Sequence, residues 1–157
     1  MKQLTLATAG FERYGKTTRR AVFLAEMERV VPWPALCGLI EPVYPKPGNG
    51  RPPVGVGRML RIYFLQQWFN LSDPAVEEAL YVSLAMRGFV GIDLGREPVP
   101  DETTVCRFRH LLERITPPAS APARAGTAVS ESRRGRQSRL RLAAFLGGVH
   151  RASGPRR

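Results

Sequence analysis

Residues 59–81 read MLRIYFLQQWFNLSDPAVEEALY, and this stretch decides the fold. Met59, Leu60, Ile62, Tyr63, Phe64, Leu65, Trp68 and Phe69 cover nearly the whole circumference of a helix over 57–69. A helix that is apolar on every side has to be surrounded by other elements. Leu71-Ser72-Asp73-Pro74 then reads as a stop and a restart. Asp73 is the expected N-cap, and Pro74 suits the first helical position, where no backbone donor is needed. The new helix is expected to run through Val76, Leu80 and Leu84, with Glu77 and Glu78 on its wet side. A buried helix followed at once by a capped amphipathic one predicts a compact, multi-helix, all-α domain.

Upstream, Phe23, Met27 and Val30 recur at i, i+4 and i+7 within 17–31, with Leu24 and Val31 beside them and Glu26, Glu28 and Arg29 on other faces. That is helical periodicity. Pro32 and Pro34 bracket Trp33 and end the helix, and a short second one is expected from Pro34 to Ile40. Residues 42–56 are rich in Pro and Gly and read as a connector, not a strand. The connector is basic and suits either a phosphate backbone or plain solvent. Downstream come a short segment from Arg87 to Ile92, a turn at Asp93-Leu94-Gly95, and a last helix opening at Pro100-Asp101. Asp101 reads as its cap. Val105, Phe108, Leu111, Leu112 and Ile115 make one face of that helix, and Thr103, Arg107, His110 and Arg114 make the opposite one. No segment sustains the period-two alternation of a half-buried strand.

The chain changes character after Ile115. Of the 42 residues from Thr116 onward, 31 are Ala, Pro, Ser, Gly or Arg, and nine of these are Arg with no Lys. Residues 1–115 carry a net charge of +3 and residues 116–157 carry +8 of the total +11. The expected division is a basic arm over 1–16, a helical domain over 17–115, and a basic tail over 116–157 that is disordered by composition apart from a short helix at 139–146. A core of that size is stable without staples. Cys37 and Cys106 read as cytosolic thiols rather than a disulfide framework. With no secretory leader and no apolar run of membrane-spanning length, the expected location is the cytoplasm. The excess of positive charge favours a polyanion partner.

Four motifs carry possible chemistry. Gly10-Phe11-Glu12-Arg13-Tyr14-Gly15-Lys16-Thr17 matches the phosphate-binding pattern G-x-x-x-x-G-K-[ST], with a strand-like Leu4–Ala7 before it and Phe89–Asp93 as a second acid motif. That loop works only when its backbone N–H groups wrap the phosphates on a parallel sheet. Phe11, Glu12 and Tyr14 are bulky or acidic where phosphate would sit, and strand signal is nearly absent, so an NTPase is the remote alternative. Cys106 and His110 stand one helical turn apart, as zinc ligands can, but no finger-like spacing completes them. Asp73, Glu77, Glu78, Asp93, Asp101 and Glu102 offer no acid pair that two-metal phosphoryl transfer requires. The Thr103, Arg107, His110, Arg114 stripe suits phosphates and base edges when its helix follows another capped helix, as in helix-turn-helix relatives. On spacing alone it fits a solvated surface equally well.

Residues 11–113 resemble the N-terminal domain of InsH-type transposases of the insertion-sequence-five family. The resemblance rests on FERYGKTTRR (11–20), VPWPALCGLIEPVYPKPGNGRPP (31–53), MLRIYFLQQWFNLSDPAVEEALY (59–81), GFVGIDLG (88–95) and PDETTVCRFRHLLE (100–113), in the family's order. It implies a helical module that binds double-stranded DNA at an element's terminal inverted repeats. In full-length members a ribonuclease-H-like domain follows, with an acid triad that holds two magnesium ions. None of that triad can be assigned to a residue of this chain, so no catalysis and no cofactor are expected of it. The tail departs from the family and is expected to be an out-of-frame or truncated continuation.

The expected DNA contacts are therefore Thr103, Arg107, His110 and Arg114 on the last helix, with Arg19, Arg20 and Arg51 against the backbone. The alternative is a regulatory fragment that pairs with intact transposase or with itself. No membrane role is expected.

Overall fold

A computed structural model describes residues 16–50 and 52–115. Residues 1–15 of the arm, Arg51 and the tail, with the expectations placed on them, lie outside the described residues. Within them the elements are α1 (Arg19–Val30), α2 (Trp33–Ile40), a 3-10 turn (Glu41–Val43), α3 (Val56–Phe69), α4 (Asp73–Val82), α5 (Leu84–Val90) and α6 (Glu102–Ile115). No strand occurs among the described residues, and the all-α expectation holds.

The apolar helix of 59–69 is the centre. α3 packs against α2, α4, α5 and α6, while α1 lies on α5 and α4 lies on both α5 and α6. Met59, Leu60, Ile62, Phe64 and Leu65 are all but fully buried. Rings meet edge-on around Phe64, with Trp33 at 5.3 Å and Trp68, tilted, at 5.1 Å between centroids. Phe23 brings α1 to Trp68 at 5.3 Å. Such aromatic pairs add to simple area burial because ring edges meet ring faces. At the far side Tyr44 from the connector packs edge-on against Phe108 of α6 and donates its hydroxyl to the Val54 carbonyl.

The boundaries of α4 and α5 differ from the sequence reading. Ser72, not Asp73, is the N-cap of α4: its Oγ accepts from the Ala75 N–H at 3.3 Å. Serine caps as well as aspartate does, and a cap one residue earlier leaves the Asp73 carboxylate available for other partners. α4 also stops at Val82, so Leu84 does not continue its buried stripe and is 75% exposed. Ser83 is extended (φ −92°, ψ 107°) and serves two helices. Its N–H donates to the Ala79 carbonyl at 2.8 Å, and its Oγ accepts from the Met86 N–H at 3.3 Å. Met86 takes the buried place that the i, i+4 spacing had assigned to Leu84. The segment expected over Arg87–Ile92 is thus α5, begun three residues earlier and closed by Gly91 at φ 78°, where glycine avoids the steric penalty of other residues.

Candidate nucleic-acid interface

α6 is built as its sequence dictates. Asp101 Oδ1 accepts from the Thr104 N–H at 2.9 Å and caps the helix. Hydrogen bonds from Thr104 hold the Asp101 carboxyl below its ordinary range. Val105, Phe108, Leu111, Leu112 and Ile115 are all buried, against α3 and α4. Thr103, Arg107, His110 and Arg114 are all exposed on the other side. At 1.5 Å per residue they form a stripe about 17 Å long. Arg107 and Arg114 form no ion pair among the described residues, unlike Arg58, Arg61, Arg96 and Arg109. The stripe therefore offers donors that are not already spent.

The two arginines at the start of α1 are placed differently. Arg19 and Arg20 are exposed in a first turn that holds no acid. Positive charge there opposes the helix dipole, so the helix itself gains nothing from them. Arg20 also rests its guanidinium 5.2 Å from the Phe69 ring centroid, at the end of α3. The structure brings Thr103, Arg107, His110 and Arg114 together on one helix and leaves Arg19 and Arg20 on another. Arg51 lies outside the described residues.

The junction between α4 and α6 holds what sequence reasoning missed. Arg109 Nη2 donates to Asp73 Oδ2 at 2.9 Å and its Nε to Asp73 Oδ1 at 3.4 Å. Gln66 of α3 donates Nε2 to the same Oδ1 at 2.8 Å. The Arg109 hydrogen bonds, with help from Gln66, hold the Asp73 carboxyl below its ordinary range against a smaller opposing effect of burial. Glu77, read as a solvated acid, accepts at Oε2 from the Glu102 N–H at 2.7 Å and so closes the start of α6. Arg109 also reaches Glu113 at 3.1 Å. No local signal in the sequence announces a pair 36 residues apart. The one hint was Ser72, an adequate cap that left Asp73 without a task.

Four of the six acids weighed as a two-metal site already have hydrogen-bond partners. Asp73 is held by Arg109, Glu77 by the Glu102 N–H, Asp93 by the Gly95 N–H at 2.9 Å and Asp101 by the Thr104 N–H. No group of three acid, cysteine or histidine side chains that would hold a metal ion occurs among the described residues. Cys106 Sγ lies 3.9 Å from His110 Nδ1, and the two belong to no group of three that would hold a metal ion among the described residues. Burial, the largest effect, pushes the Cys37 thiol up, against the lowering field of Arg61. Phe89 and Val90, the strand half of the second phosphate-site motif, are the end of α5 and not a strand. Thr18 caps α1, accepting from the Ala21 N–H at 3.2 Å. No described helix is long and apolar enough to cross a membrane.

Between α4 and its packing partner α6 stand α5 and the turn at Asp93–Gly95. The pair is thus not joined by the three- or four-residue turn of the simplest helix-turn-helix units. Compared with known proteins, the chain matches the family model described as Transposase domain (DUF772) over residues 12–111. No solved structure matches it.

Proposed function

The chain belongs to this transposase-domain family, and from that premise we propose that its helical domain is the part of a transposase that grips double-stranded DNA. In this reading α6 is the DNA-facing helix of a helix-turn-helix-like unit. Arg107, His110, Arg114 and Thr103 reach bases and phosphates, and Arg19, Arg20 and Arg51 meet the backbone. The observation that carries the reading is the exposed stripe of α6, with its two arginines unpaired among the described residues. An InsH-type member would recognise the terminal inverted repeats of its element in the cytoplasm. Strand cutting and its magnesium ions belong, in this proposal, to residues other than Asp73, Glu77, Asp93 and Asp101, each of which already has a structural partner.

The test is a titration against an inverted-repeat duplex and a scrambled duplex at two salt concentrations. Phosphate contacts release counterions, so affinity for both is expected to fall steeply with salt. The repeat is expected to remain preferred at each concentration. Equal and weak binding to both duplexes would leave only the attraction of a polycation.

A second reading has its own support. Tyr81, Val82 and Leu84 form an exposed apolar corner where α4 meets α5, Val82 being 80% exposed. A regulatory fragment that pairs with intact transposase, or with itself, would use such a surface. Co-purification with a full-length relative, lost on replacing Val82 and Leu84 by Ser, is the expected result. Capture that survives both replacements counts against that surface.

A further inference from the structure

Asp73 is a junction of three helices. It sits at the first residue of α4, is hydrogen-bonded by Gln66 of α3, and holds Arg109 of α6 through both carboxylate oxygens. One turn further along α4, Glu77 receives the Glu102 N–H at the start of α6. The two acids meet α6 in reverse order, Glu77 at residue 102 and Asp73 at residue 109, so the helices run antiparallel and are fastened at two points. Those points are four residues apart on α4 and seven on α6, roughly 6 and 10 Å.

These contacts do something the apolar face does not. Val105, Phe108, Leu111, Leu112 and Ile115 bury α6, but apolar contact is non-directional and permits small rotations and slides. A two-oxygen guanidinium contact has a fixed direction. It fixes how far α6 is turned about its own axis, and the outer stripe turns with it. The side chain of Asp73 is only 17% exposed and that of Arg109 35%, so the pair is shielded enough to hold one geometry. Gln66 is 5% exposed, and its Oε1 finds no hydrogen-bond partner among the described residues. An apolar side chain would fill that place at less cost in burial. The glutamine is explained by the hold its amide keeps on Asp73.

We propose that Asp73 and Arg109 are positioning residues for DNA recognition: their contact sets the rotation of α6 and thereby aims Thr103, Arg107, His110 and Arg114. The proposal rests on the DNA-binding reading above. It assigns Arg109 no contact with DNA.

The experiment measures the ratio of affinities for the inverted-repeat and scrambled duplexes, using the full chain, with thermal unfolding of each variant alongside. Asp73→Asn removes a negative charge, which by attraction alone raises affinity for any duplex. Positioning instead lowers the repeat-over-scrambled ratio, by roughly tenfold. Arg109→Lys keeps the charge but not the fork that spans both oxygens, and it lowers the ratio in the same direction. Lost stability is read from the unfolding curves, and the ratios are compared at a temperature where each variant is folded, because an unfolded chain keeps the charge that binds any duplex. If Asp73→Asn does not fold, Arg109→Lys decides. A folded variant of either kind that keeps the wild-type ratio overturns the proposal. A wild-type chain with no preference between the duplexes removes the DNA-binding reading and the proposal with it, and is told apart by needing no variant at all.

Discussion

Arg107 and Arg109 are two residues apart on one helix and face different problems. Arg109 lies on the flank of α6 that meets α4, where Asp73, Glu113 and the field around them use its donors. Arg107 lies on the open side, with no ion pair among the described residues, and its charge is felt at Asp101. Arg61 repeats the first pattern on the other side of the core. Its guanidinium is 4.6 Å from the Trp33 ring centroid and 5.9 Å from that of Phe89, and it reaches Glu28 at 2.6 and 3.2 Å. The lesson is that positive charge does not mark an interface. Arginines held by an acid on another element, as Arg109 and Arg61 are, hold the domain together, and those without such an acid are available to a partner.

The contrast breaks most visibly under substitution of the held arginines. Arg61→Ala is expected to destabilise the domain by about 2 kcal/mol, from lost cation–π contact, lost packing of its stem and a weakened ion pair. Urea unfolding monitored by helical circular dichroism reads this directly. A loss below about 0.5 kcal/mol, the range of ordinary surface changes, would place Arg61 with the open arginines.

Arg109→Ala comes next, at about 1–2 kcal/mol, because it leaves a mostly buried carboxylate without its charged partner. The Asp73–Arg109 double-mutant cycle is expected to be strongly non-additive. Independent, additive losses would mean that the two side chains do not act as a unit.

Acid should undo part of the same contact. The folded-state pKa values of Asp73 and Asp101 lie below their ordinary values. Each therefore contributes stability that is fully present above the ordinary carboxyl range near pH 4 and is lost as pH falls through the lower, folded-state value. Stability should decline below about pH 4, and Asp73→Asn should flatten that decline. A variant with an unchanged acid limb would show that this carboxylate does not carry the effect.

Arg107→Ala and Arg114→Ala mark the other end. Each is expected to change stability by less than about 0.5 kcal/mol. Arg107→Ala should nevertheless weaken specific DNA binding by about 1–3 kcal/mol. A stability loss as large as that of Arg109→Ala would erase the distinction between the two residues.

Much of this was legible in the order of residues because it is periodic or local. The apolar girth of 59–69 predicted a central helix, and the two faces of α6 followed from spacing alone. Asp101 read as a cap because the residues it serves are three positions away. Ser72 and Asp73 are both good caps, so the sequence left a one-residue ambiguity, and the structure resolved it by giving Asp73 a distant partner. Leu84 kept the spacing of Val76 and Leu80 although Ser83 breaks the helix, since i, i+4 patterns run on across a short kink. The ion pairs of Arg61 with Glu28 and of Arg109 with Asp73 join residues more than thirty positions apart and leave no periodic trace. The candidate stripe was therefore visible, and the frame that holds it was not.

The most direct test of the account is to map where a duplex touches the domain. In amide spectra of the labelled chain titrated with an inverted-repeat duplex, the largest shifts are expected at Thr103, Arg107, His110 and Arg114. Gln66 and Asp73 should move only slightly. Shifts centred on Tyr81, Val82 and Leu84, with α6 unperturbed, would contradict it.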